Sequence, residues 1–312
     1  MAATRQQYGK RPFPIIRCHV GKVQCPLCGI KLAAVRDPKL TVGALRGTLG
    51  GKFETTPSMA TLSAEQLEQF IEQGFVCLDA VFSKSLAQRC REVLWRKSGC
   101  DPEDRSTWTR PVVRIDHFDN ATLFEAADAP ALKDAYDQLV GIGRWHFYGY
   151  GTFPIRFPVA GEPGDDGWHF DGSYYDAEGR LSVNLASRGR ALLQLFLYSD
   201  VGEDDAPTRI RVGSHLDVPR LLAPYGDGDI PNETICRQLD VTESRPIALA
   251  TGEAGTVYLC HPFLVHAAQK HRGAEPRFMS QPPLGLAEPL RIDRPEYDLS
   301  PVEQAMRRAL SK

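Results

Sequence analysis

The sequence predicts a mainly β domain braced by helices, an α+β chain whose strands form a double-sheet jelly roll. From Trp145 onward, short apolar runs alternate with Gly- and Pro-containing breaks, the grammar of many short strands. Before that point the apolar residues recur at helical spacing, so helices precede the strands and flank them. A third observation agrees: His169, Asp171 and a distant His266 form a set of metal-ligand types that a β-sandwich or barrel can bring together by setting a distant strand alongside.

The elements follow in order. Ser63-Ala64-Glu65-Gln66 is a capping-box start, Leu67, Phe70 and Ile71 form a helical stripe, and Gly74 is a natural stop. Phe75 to Leu78 reads as a short strand. A second helix from about Ser83 places Leu86, Cys90, Val93 and Leu94 on one face. A third begins at Asp128-Ala129-Pro130 with Leu132, Tyr136 and Leu139 inward. Strands are expected at 153–157, 191–198, 247–249 and 255–260. Ser300-Pro301-Val302-Glu303 starts a last helix, expected to be exposed. There is no internal repeat.

Composition sets the class. With 312 residues, 42% apolar and 24% charged, the chain can bury a sizeable core as one large domain. A net charge of −2 gives no global attraction to nucleic acid. No run approaches the roughly 18 apolar residues of a spanning helix, so no membrane partner is expected. The 8 cysteines are scattered, without a dense disulfide pattern, which suits a reducing, cytoplasmic location. Oligomeric state is not written in the sequence.

Charge is unevenly spread. Residues 1–57 hold ten Lys or Arg and two acids, Asp37 and Glu54, so the extension is basic and the body acidic. Three readings stay open: zinc binding by Cys18, His19, Cys25 and Cys28, an organelle transit peptide, or a natural start at Met59. The expected division is a disordered extension over 1–57, a catalytic domain over 58–290 and a tail with a helix over 291–312.

Trp168-His169-Phe170-Asp171-Gly172 carries the chemistry. In an extended strand, side chains two apart point the same way, so His169 and Asp171 can reach one ion while Phe170 turns away. His266 lies 95 residues beyond Asp171, at the end of the run from Gly255 to Val265. Two imidazoles and one carboxylate can occupy one face of a non-heme Fe(II) ion, leaving the opposite positions for a co-substrate and dioxygen. Arg277 follows 11 residues after His266. Its guanidinium can grip a carboxylate through two parallel hydrogen bonds.

These residues, with Val212-Gly213-Ser214-His215, resemble the phytanoyl-CoA dioxygenase family of Fe(II)- and 2-oxoglutarate-dependent oxygenases, over about residues 60 to 285. The resemblance implies the double-stranded β-helix, cupin-like form of the jelly roll. It makes His169, Asp171 and His266 the catalytic iron ligands and Arg277 the partner of the far carboxylate of 2-oxoglutarate. The implied cofactors are Fe(II), 2-oxoglutarate and dioxygen. The reaction would hydroxylate a small-molecule substrate, with succinate and CO2 released. Related halogenases carry a small residue at the carboxylate position, so Asp171 implies hydroxylation rather than halogenation, with desaturation or ring formation at the same centre left open. The chain departs from the family at Phe170, where Gln is frequent, and at Val212, where Pro is frequent.

His261 precedes Arg272 by the same 11-residue offset. We prefer His266 and Arg277 because His261 begins a His-Pro turn like the family's and Arg272 lies in a loop-like His271-Arg272-Gly273. His261 and His271 then read as near-site or loop histidines. Arg156, Trp168 and Tyr174 flank the motif and are candidate substrate contacts. Val212 to His215 reads as a turn, and Glu203-Asp204-Asp205 as a solvated loop. Two other classes remain: a jelly-roll metalloenzyme using another divalent ion for hydrolysis or isomerisation, and a non-catalytic binding module. The first leaves Arg277 unexplained.

Overall fold

The computed structural model describes residues 62–147 and 149–311. The basic extension, with the Cys18, His19, Cys25 and Cys28 set, lies outside the described residues.

Local chemistry accounts for the first helices. In α1 (Ala64–Gln73) the Ser63 hydroxyl accepts from the Gln66 amide, and the Gln66 side chain accepts from Ser63. Gly74 ends it at φ 89°, where a Cβ would strike the His215 ring. The chain turns directly into β1 (Phe75–Leu78). Helix α2 (Lys84–Ser98) starts at the Ser83 cap and buries Leu86, Cys90, Val93 and Leu94, as its periodicity predicts. After β2 (Val112–Ile115) comes α3 (Ala121–Ala127), a helix that the sequence reading missed. Its signal is Asn120, whose side chain accepts from the amides of Thr122 and Leu123. Helix α4 (Pro130–Val140) opens on Pro130 and buries Leu132, Tyr136 and Leu139.

The remaining strands are short. They are β3 (Trp145–Phe147), β4 (Phe153–Arg156), β5 (Tyr174–Tyr175), β6 (Leu181–Val183), β7 (Leu192–Leu197) and β8 (Arg209–Arg211), followed by helix α5 (Val218–Leu222). Next come β9 (Ile230–Pro231), helix α6 (Asn232–Cys236), β10 (Ile247–Leu249), β11 (Val257–Cys260), β12 (His266–Ala267), β13 (Met279–Ser280), β14 (Pro283–Leu286) and helix α7 (Pro301–Leu310).

All strand pairs are antiparallel. The main sheet runs β1-β11-β7-β14-β3, with β13 also on β7. A second layer is built from β10-β8-β12 and β2-β4, while β5-β6-β9 forms a small sheet of its own. Strand β7 shows why the sheets stack. Its residues are all buried, and side chains alternate. Leu193, Leu195 and Leu197 pack with Ile210 of β8, between the layers. Leu192 and Phe196 join the core that holds Leu86, Leu94, Leu132 and Leu139 of the helices. In β11, Tyr258 and Cys260 share the first face and Val257 and Leu259 the second. Each such fully buried Leu or Val contributes roughly 1.5–3 kcal/mol. The result is a double-stranded β-helix jelly roll with helices against one face, as the sequence predicts.

One expectation fails. Helix α7 is not exposed: Val302, Ala305, Met306 and Ala309 are buried, and it packs on α1, α4 and α5. Those residues make an apolar stripe at helical spacing, and Glu303 is buried beneath Arg144 and Arg294. Helix α7 is therefore part of the packed body. Among the described residues, no helix is long and apolar enough to cross a membrane.

Candidate metal centre

Two backbone pairings bring four remote residues into the second layer. His169 and His266 face each other across an antiparallel bridge, exchanging amide-to-carbonyl bonds of 3.0 and 2.8 Å. Arg156 and Arg277 do the same at 3.1 and 2.9 Å. Residues directly opposite in such a bridge project to the same side of the sheet, so each bridge sets two like side chains side by side.

The imidazoles of His169 and His266 lie 4.4 Å apart between ring centroids. Asp171, two residues after His169, brings an oxygen to 3.8 Å from Nε2 of His266. One ligand atom from each of the three residues can be chosen so that all lie within 4.8 Å of one another. Next to Asp171, a Cβ on Gly172 would stand 2.5 Å from the Phe263 ring, so glycine permits this close approach. Phe170 turns the other way, into the core, with an edge contact to Phe263.

The local hydrogen bonds suit a cation. Nδ1 of His169 faces the Gly167 carbonyl at 2.8 Å, and Nδ1 of His266 faces that of Leu264 at 3.0 Å. A carbonyl only accepts, so each Nδ1 carries a proton and Nε2 is the atom of each ring left to offer a lone pair. Nε2 of His266 is buried with no hydrogen-bond partner. Burial, then the neighbouring His169, pulls the His266 pKa down to about 4, keeping it neutral near pH 7. For Asp171 burial works upward. That is the largest single influence, and Arg190, the two imidazoles and Arg114 outweigh it only together, holding the carboxyl below its usual range. The Arg190 guanidinium donates to Asp171 at 3.0 Å. Two imidazole nitrogens and a carboxylate fit a divalent metal.

A small cavity leads from His169 and His266 to Arg156 and Arg277, with Asp165 and Thr208 on its wall. Both arginines are 2% exposed. Arg277 donates to the carbonyls of Ala206 and Pro154 at 2.6 and 2.9 Å, and its Nε has no partner. Burial, then Arg156, lowers its pKa. Arg156 donates to both oxygens of Asp165, at 2.7 and 2.8 Å, and Arg114 shares that carboxylate at 2.7 Å.

The other expected residues fall elsewhere. His261 is buried beneath α7, where its Nε2 lies 3.2 Å from the Val302 carbonyl, and it takes no part in the cluster. Arg272 is exposed and paired with Asp204. His271 is buried, its Nδ1 accepting from the Gly273 amide. The indole of Trp168 is held by the guanidinium groups of Arg209 and Arg211, at 4.8 and 4.2 Å. Tyr174 donates to Asp229 at 2.5 Å. Both lie outside the cavity wall. Val212 to His215 is a turn with Gly213 at φ 79°, and the Ser214 hydroxyl accepts from the Val265 amide one residue before His266. Arg114, Asp165, Arg190 and Thr208 were not singled out from the sequence; no local pattern marks them.

A family model described as phytanoyl-CoA dioxygenase (PhyH) matches residues 70–279. Among solved structures, the chain is similar to the non-heme alpha-ketoglutarate-dependent carbocyclase SnoK from nogalamycin biosynthesis. That likeness has 16% identity over 73% of this chain and 86% of that one, with a TM-score of 0.53. It is also similar to EctD from S. alaskensis with bound Fe, at 19% identity over 76% and 83%, TM-score 0.50. HygX from Streptomyces hygroscopicus with iron bound is a third, at 16% identity over 74% and 90%, TM-score 0.50. At these identities the likeness is one of fold. No curated protein matches the chain.

Proposed function

The chain belongs to the phytanoyl-CoA dioxygenase family, and from that premise we propose that it is an Fe(II)- and 2-oxoglutarate-dependent dioxygenase that hydroxylates a small organic substrate. Succinate and CO2 are the co-products. One observation carries the reading: a single cavity is lined both by His169 and His266, the two histidines that cluster with Asp171, and by the buried Arg277.

His169, Asp171 and His266 would hold the iron through two Nε2 atoms and a carboxylate oxygen. Arg277 receives the far carboxylate of 2-oxoglutarate. Bound iron supplies the redox chemistry that couples oxidative decarboxylation of the keto acid by dioxygen to oxidation of a substrate C–H bond. The chain's own residues do the rest by positioning. The Gly167 and Leu264 carbonyls fix the two rings, Arg190 steadies Asp171, and buried Phe170 and Phe263 keep water from that side. Hydroxylation is favoured over halogenation because Asp171 occupies the third ligand position.

The free thiols among the described residues, at Cys77, Cys90, Cys100, Cys236 and Cys260, suit a reducing cytoplasm. The test is anaerobic titration of the apoprotein with Fe(II) and then 2-oxoglutarate. A weak visible charge-transfer band is expected as the keto acid chelates the iron. Its absence from folded, iron-loaded protein would overturn the proposal.

A further inference from the structure

The Arg277 seat contains more positive charge than one arginine supplies. Arg156 lies directly opposite Arg277 in their bridge, and like charges in that position repel. Both are sealed from solvent, and Asp165 is the carboxylate between Arg156 and the half-exposed Arg114. Arg156 binds Asp165 through Nη2 alone, leaving Nε and Nη1 buried without partners, as is Nε of Arg277. Buried N–H groups are rarely left unpaired. A ligand that satisfies these must be an anionic acceptor offering more than one oxygen.

The geometry points to Arg156 as a second guanidinium for the far carboxylate of 2-oxoglutarate, acting beside Arg277 and held in place by Asp165. This rests on the function proposed above and reassigns Arg156 from the primary substrate to the co-substrate. The charge count supports it. Arg114, Arg156 and Arg277 gather around one carboxylate, Asp165, so a ligand carboxylate leaves a single positive charge in excess, and Arg114, with its side chain 45% exposed, can share that excess with solvent. A keto acid without a far carboxylate, such as pyruvate, cannot provide that compensation, so the pair also selects for a dicarboxylate.

The experiment is equilibrium binding of 2-oxoglutarate and of pyruvate to the Fe(II)-loaded protein without oxygen. Wild type, Arg156→Gln, Arg156→Lys and Arg277→Gln are compared. Arg156→Gln is expected to weaken 2-oxoglutarate roughly tenfold or more and to leave pyruvate unchanged. Arg156→Lys, which keeps the charge and loses the fork, should show a smaller drop. Should Arg156→Gln fail to fold, the ratio of the two affinities in Arg156→Lys decides. An unchanged ratio, or equal weakening of both acids, makes Arg156 a structural residue and overturns the inference alone. Failure of wild type to bind 2-oxoglutarate removes the proposed function and this inference with it.

Discussion

Nε2 of His266 is a buried nitrogen with a lone pair, no hydrogen-bond partner and a carboxylate oxygen 3.8 Å away. Such an atom is costly to leave bare, and a bound cation relieves that cost. His169→Ala or Asp171→Ala is therefore expected to abolish both iron retention and turnover, measured by metal analysis after anaerobic loading and by succinate release. Arg277→Ala should leave iron retention intact and weaken 2-oxoglutarate binding roughly tenfold or more, visible as a raised KM for the co-substrate. Arg190 acts one step out. Its bond to Asp171 is expected to be worth about 10- to 100-fold in iron affinity, read by competition with a chelator in Arg190→Gln. Unchanged affinity there would make the pair incidental.

At the level of elements, α7 tests whether its stripe is core. Met306 is 1% exposed, so Met306→Ala should cost about 2–5 kcal/mol in a denaturant titration. A surface helix would lose less than about 0.5 kcal/mol. The bridge between His169 and His266 matters in another way. It joins two segments whose proposed ligands must sit on one side of a sheet, and a one-residue slip of either segment would turn its imidazole to the opposite face. Gly172 protects that register by letting Phe263 pack against the strand. Gly172→Ala should push the two apart and reduce iron affinity, again measured against a chelator.

For the whole molecule, two buried histidines tie the ends of the domain together. Nε2 of His215 lies 3.0 Å from the Ile71 carbonyl in α1, and Nε2 of His261 lies 3.2 Å from that of Val302 in α7. Their ring centroids are 5.0 Å apart. Burial, with Arg245 nearby, pulls the His215 pKa down to about 4, and burial beside His215 also lowers that of His261. The unfolded chain, with histidine near 6.5, takes up protons first as pH falls. The stability contribution is therefore full above about pH 6.5 and is lost as pH drops toward 4. At pH 5 the His215 share of that loss is roughly 2 kcal/mol. Thermal melts of wild type and His215→Gln at pH 7.5 and 5 check the sign: the variant should lose less on acidification.

What the chain's order of residues determined is what local chemistry governs. Ser63, Ser83 and Ser300 mark helix starts because a cap needs only the next three residues. The apolar run over 192–197 marks a strand, and His169 with Asp171 marks a candidate ligand pair because a strand repeats every two residues. The tertiary structure decided what depends on distant pairing. It buried α7, whose stripe is short and carries charged neighbours that make it look solvated. It separated His261 from His266 although both end the same apolar run. It also gathered Arg114, Arg156, Asp165 and Arg277 around one cavity, from four stretches of chain that share no spacing. Charge compensation in an interior acts through space, so which guanidinium groups lack a counter-ion is visible only after the sheets have closed.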